Sequence, residues 1–98
     1  MVAPEQEKIL QGLAREDLFT VVHDLFLTDT AQRANVVLPA TSFAESTDAY
    51  RSYWHDYAQA GNRAIEPLGE SISNFRLVQE LARRLGFDEP CFRETEED

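Results

Sequence analysis

The sequence predicts an α/β fold with a short parallel sheet flanked by helices, joined to an irregular aromatic-rich arm. Three observations carry this expectation. Two short apolar, β-branched runs, residues 18–23 and 35–38, bracket a polar stretch that suits a brief helix. Phe75, Val78, Leu81, Ala82 and Leu85 recur at helical spacing. Between these parts, Tyr50, Tyr53, Trp54 and Tyr57 crowd a stretch that fits no single period.

The elements follow in chain order. Pro4, Glu5 and Glu7 mark a helix start, where a fixed φ and carboxylates suit the positive end of the helix dipole. Ile9, Leu10 and Leu13 share one face, as packing on a sheet requires, and Arg15 is placed in the last turn. Gly12 weakens this helix by about 1 kcal/mol relative to Ala. The run Leu18-Phe19-Thr20-Val21-Val22-His23 reads as a strand buried on both faces, the pattern of a parallel sheet. Thr28 caps a short helix over residues 29–34. Asn35-Val36-Val37-Leu38 forms a second strand, ended by Pro39, and is a parallel neighbour of the first. Residues 40–70 are expected as short irregular strands or an extended arm. Ser73 caps the clearest helix, and Gly86 followed by Phe87 closes it.

Charge limits the partners. The chain has 98 residues and net charge −9. Phosphate neutralisation needs a surplus of Lys and Arg, so nucleic acid is excluded as a partner, as is an anionic membrane surface. The acid is uneven: residues 88–98 hold six acidic side chains against Arg93 alone. We therefore expect a single α/β domain over residues 1–87 and an acidic, flexible tail over 88–98. One cysteine, Cys91, excludes an intrachain disulfide and any multi-cysteine metal site within this chain. No apolar run approaches the roughly 18 residues of a membrane-spanning helix, and no signal peptide opens the sequence, so a cytoplasmic chain is expected.

Catalytic chemistry finds little footing. Ser42, Ser46, Cys91, His23 and His55 form no recognisable nucleophile–base spacing, and no Gly-x-Ser-x-Gly elbow exists. Cys91 sits beside Pro90 among carboxylates, a setting that does not activate a thiol. Two isolated histidines make no metal motif, and His23 at a strand end suits a satisfied core-edge role. The glycines are isolated, so no phosphate loop is present. The aromatic stretch at 50–57 suits packing or an interface as well as ligand stacking.

One pair remains. Asp24 and Thr28 directly follow the first strand, where open parallel sheets place their ligands. A carboxylate there can accept both the N1–H and N2–H of a guanine edge, and a threonine hydroxyl can serve a ribose or phosphate. A simple turn and cap accounts for the same two residues. Composition and spacing leave both readings open.

The segment Val21-Val22-His23-Asp24-Leu25-Phe26-Leu27-Thr28-Asp29-Thr30-Ala31, then Ala34-Asn35-Val36-Val37-Leu38-Pro39-Ala40, resembles the molybdopterin oxidoreductase family. These are the dimethyl sulfoxide reductase-type enzymes, formate dehydrogenases and nitrate reductases among them. The similarity continues through Glu45, Gln59, Ala64-Ile65-Glu66-Pro67-Leu68-Gly69-Glu70 and Leu85-Gly86, covering most of residues 2–92. Asp29 stands where the family usually has Glu, and Asn35 where it usually has Asp. Ser46-Thr47-Asp48-Ala49 replaces a Gly-rich turn, and His55-Asp56-Tyr57 replaces a Glu-Gly-Arg.

The resemblance implies a fragment of a longer oxidoreductase that holds molybdopterin guanine dinucleotide with molybdenum or tungsten. The matching segment is part of a Rossmann-like domain cradling one guanosine end. Asp24 and Thr28 match nucleotide-contacting positions, while no residue here matches a catalytic group or metal ligand. This chain would then be non-catalytic by itself, would need no bound cofactor of its own, and would have the remainder of the parent enzyme as its partner. An open sheet edge and an uncovered apolar face would also favour a homo-oligomer. The alternative is a stand-alone acidic α/β protein-interaction module without enzymatic activity.

Overall fold

The computed structural model describes residues 4–95, so Glu96, Glu97 and Asp98 of the acidic stretch lie outside the described residues. It is a small α/β structure with one short parallel sheet, one short antiparallel sheet and two helices. The chain divides into two compact units, residues 1–39 and 40–98.

In the first unit, helix α1 spans Gln6–Leu13. Pro4 lies in the turn ahead of it, and the carbonyl of Glu5 accepts from the Lys8 and Ile9 amides at 3.0 and 3.3 Å. Arg15, expected in the last turn, lies beyond the helix end and instead pairs with Asp17. Strand β1 runs Val21–Asp24 and β2 runs Val36–Pro39, paired in parallel with Val21 opposite Val36 and Asp24 opposite Pro39. The parallel pairing matches the sequence expectation. Its start is fixed by Asn35, whose Oδ1 accepts from the Thr20 amide at 2.7 Å while its own amide donates to the Thr20 carbonyl at 2.9 Å.

Two expectations for this unit need correction. The connection holds a single 3-10 turn, Ala31–Arg33, rather than a helix over 29–34, because the link between the strands has room for little more. Nor is β1 buried on both faces: Val21 is exposed and the rest of the strand half-buried. Two strands and one short helix supply too little cover for a sheet of parallel type.

The second unit begins with β3, Asp48–Arg51, and β4, Ala58–Gly61, an antiparallel hairpin. A Cβ at Gly61 would overlap the Tyr50 ring, so a side chain there needs that ring to move. The six-residue tip explains the missing periodicity of the aromatic stretch. Ser52 Oγ accepts from the Trp54 amide and His55 Nδ1 from the Tyr57 amide, both at 3.2 Å, so local side-chain bonds shape it. Tyr53, Trp54 and Tyr57 all stand exposed.

Helix α2, Asn74–Leu85, agrees closely with its sequence signals. Ser73 Oγ accepts from the Arg76 amide at 3.2 Å. Gly86 has φ +84°, its amide donates to Arg83, and the Phe87 amide donates to Ala82, which is a Schellman ending. Replacing Gly86 with Val should therefore lower stability by about 1 kcal/mol or more, readable in a urea melt, because a β-branched residue is strained at positive φ. Beyond the helix, Pro90–Phe92 form a 3-10 turn, with the Phe92 ring 6.2 Å from that of Phe87 and the Glu94 carbonyl accepting from Gln79 Nε2 at 2.5 Å.

The core is slight. Among the described residues, Ala31 and Ala82 are the buried apolar side chains, whereas Phe26, Phe43, Leu68 and Leu85 are each at least 70% exposed. Such uncovered surface should drive the 98-residue chain into dimers or larger species at high concentration in analytical ultracentrifugation. A monomer under those conditions would contradict this.

Candidate functional site

The sequence-predicted pair lies at the carboxyl ends of the parallel strands. Asp24 closes β1, opposite Pro39 of β2. Its Oδ1 accepts from the Phe26 amide at 3.4 Å, and the Phe26 carbonyl accepts from the Thr28 amide at 2.8 Å. Thr28 Oγ1 then accepts from the Ala31 amide at 3.3 Å, and its carbonyl from the Gln32 amide at 2.9 Å. An unbroken chain of local bonds thus runs from Asp24 through Thr28 into the 3-10 turn.

These are the bonds of a turn and a cap, yet they leave chemistry unused. A carboxylate offers about four acceptor positions, and Asp24 spends one of them on a long bond. Its Oδ2 has no partner among the described residues. The Thr28 hydroxyl accepts from Ala31 and keeps its own O–H to donate. Both side chains are half-buried, which leaves them reachable from solvent. Next to Asp24, His23 Nε2 lies 3.1 Å from the Pro39 carbonyl. Since that carbonyl can only accept, the ring carries its proton on Nε2 for this bond.

Sequence reasoning did not see what Glu45 does. It is 9% exposed, with Oε2 accepting from the Ser42 amide and Oε1 from the Leu68 amide, both at 2.7 Å. Hydrogen bonding by Ser42, then by Leu68, holds its carboxyl below the ordinary carboxylate pKa. Around it, the Ala44 carbonyl accepts from the Ala64 and Ile65 amides, and the Thr41 amide donates to Ile72. Glu45 is thus the centre of a clamp joining segments distant in sequence. Only its place in the family-like pattern could have drawn attention to it.

No cluster of three or more His, Cys, Asp or Glu side chains suited to a metal ion occurs among the described residues. Cys91 is exposed in the 3-10 turn at 90–92. No helix among the described residues is long and apolar enough to cross a membrane.

Fold and site together define an α/β protein that presents a carboxylate and a hydroxyl at the carboxyl ends of parallel strands. The profile of the molybdopterin oxidoreductase family matches residues 1–84, and the chain belongs to that family. It is 55% identical to "Probable oxidoreductase YoaE" of Bacillus subtilis (strain 168), over 99% of this chain and 14% of the relative. It is 37% identical to "F420-dependent formate dehydrogenase 1 subunit alpha" of Methanococcus maripaludis, over 85% of this chain and 12% of the relative. It is 34% identical to "Acetylene hydratase" of Syntrophotalea acetylenica, over 86% of this chain and 12% of the relative. The chain therefore spans about a seventh of the length of the first of these relatives.

Proposed function

We propose that this chain is the guanosine-cradling part of a longer molybdopterin-dependent oxidoreductase and is not catalytic by itself. One observation carries the non-catalytic role. A relative named as a formate dehydrogenase and another named as a hydratase match this chain at 37% and 34% identity over nearly the same share of it. A segment common to proteins with such different named reactions holds what they share, and the choice of reaction lies elsewhere. Binding and orienting a cofactor is a role of that shared kind.

The residues present fit one end of such a cofactor. Asp24 Oδ2 has no partner among the described residues, and the Asp24 carboxylate is a double acceptor for the adjacent N1–H and N2–H of guanine. The Thr28 hydroxyl is a donor for a sugar or phosphate oxygen. When bound, the group supplies two-electron redox chemistry at molybdenum or tungsten. This chain's share is to select guanine with Asp24, hold the sugar–phosphate with Thr28, and fix both through the 24–32 turn. In this reading β1 and β2 belong to a larger Rossmann-like sheet, and the remainder of the polypeptide covers the exposed apolar surface.

The test is the composition of the purified complete polypeptide. Mild acid should release guanine nucleotide, and elemental analysis should find molybdenum or tungsten. Metal with no guanine nucleotide would refute the dinucleotide form, and neither component would favour the interaction module.

A further inference from the structure

We propose that His23 is the positioning residue that aims the Asp24 carboxylate at guanine. The proposal rests on the guanosine-cradling reading of Asp24. It starts from the last rung of the parallel ladder, where Asp24 stands opposite Pro39. In a parallel ladder the bonds slant to the neighbours of the opposite residue, so Pro39, which has no N–H, is not the backbone partner of Asp24. Asp24 and Pro39 are the last residues of the two strands, so no further rung of this ladder follows at the place where the candidate ligand group sits.

His23 adds a tie at this end. Its Nε2 reaches the Pro39 carbonyl at 3.1 Å, a side-chain donor from β1 to the final residue of β2. The bond joins the two strand ends immediately beside Asp24. On the other side, the Asp24 carboxylate accepts a single bond among the described residues, at 3.4 Å from the Phe26 amide, too long to fix it alone. The backbone under Asp24 is thus steadied by His23, and the direction of Oδ2 follows from that backbone. His23 touches no ligand in this scheme and acts through Asp24.

Such a role has a signature that loss of stability does not share. Asp24 would recognise both N1–H and the 2-amino group of guanine, whereas hypoxanthine keeps N1–H and lacks the amino group. The experiment titrates the complete, cofactor-free polypeptide with GMP and with IMP by calorimetry. The unaltered protein should favour GMP by about tenfold or more, the scale of one hydrogen bond to a charged group. His23→Leu should bring the ratio close to one while changing IMP affinity by no more than about twofold. His23→Gln, which restores an N–H donor at similar reach, should recover most of the preference. His23→Asn, polar but too short to reach Pro39, should behave like the leucine variant and serves where that variant does not fold. An unchanged GMP/IMP ratio in the Leu or Asn variant overturns the role of His23, as does a Gln variant as impaired as either. Asp24→Asn separates the two claims. If it abolishes the ratio while the His23 variants do not, the guanine reading stands and the positioning role fails. If it leaves the ratio intact, both fall.

Discussion

Asp24→Asn in the complete polypeptide should reduce bound guanine nucleotide to about a tenth or less of the unaltered level, at nearly unchanged melting temperature. The substitution keeps the fold's own use of the residue, because an asparagine Oδ1 still accepts from the Phe26 amide and still forms the turn. It alters the other position, where a carboxylate oxygen becomes an amide N–H₂. A donor then faces the guanine N1–H or N2–H donor. A hydrogen bond to a charged group contributes roughly 1.5–3 kcal/mol, so its loss costs at least tenfold in affinity. Nucleotide released by acid from equal amounts of the two proteins reads the effect. Equal release would leave Asp24 as a turn residue.

Glu45→Gln should produce the largest loss of stability of any single polar substitution in the second unit. The carboxylate accepts from two amides, Ser42 and Leu68, and Glu45 itself is nearly buried. Glutamine has one carbonyl oxygen for these two donors and points N–H₂ at the second, leaving a buried amide unpaired. The melting temperature should fall by several degrees at neutral pH. The pH dependence follows in sign. Native hydrogen bonds lower the carboxyl pKa below its value in the unfolded chain, so the unfolded state binds more protons at acidic pH. The stabilisation is complete above the ordinary carboxylate range and is lost as pH falls through the lowered native pKa. Thermal melts from neutral to acidic pH should therefore converge for the two proteins at the acidic end. A constant difference across that range would place the stabilisation outside the carboxylate.

The parts legible in the sequence are those whose causes are local. Ser73, the Phe75–Leu85 stripe and Gly86–Phe87 state the beginning, face and end of α2 within fifteen residues, and the helix forms with those caps. The apolar, β-branched runs at 18–23 and 35–38 likewise predict a parallel pair, which forms over Val21–Asp24 and Val36–Pro39. Long-range pairing was not readable: the Glu45 carboxylate meets Leu68 across 23 positions, and nothing near Glu45 announces that partner. His23 illustrates the intermediate case. Its place at a strand end suggested a satisfied histidine, but its bond to Pro39 required the parallel register to be known. Burial was misread for one physical reason. An apolar run such as Leu18–His23 reports what its side chains are suited to touch, not whether these 98 residues supply the contact, and Val21 stands half exposed. Within the site, position was readable and coupling was not: Asp24 and Thr28 lie at the strand end as expected, while the bonds through Phe26 that link them appear only in three dimensions.

The measurement that decides the central claim is a structure of the complete polypeptide with its cofactor bound. Guanine should lie at the carboxyl ends of β1 and β2, with both Asp24 carboxylate oxygens about 2.7–3.0 Å from its N1 and N2 and the Thr28 hydroxyl on the sugar or phosphate. A guanine base held elsewhere, with Asp24 and Thr28 bonded only to their own turn, would contradict it.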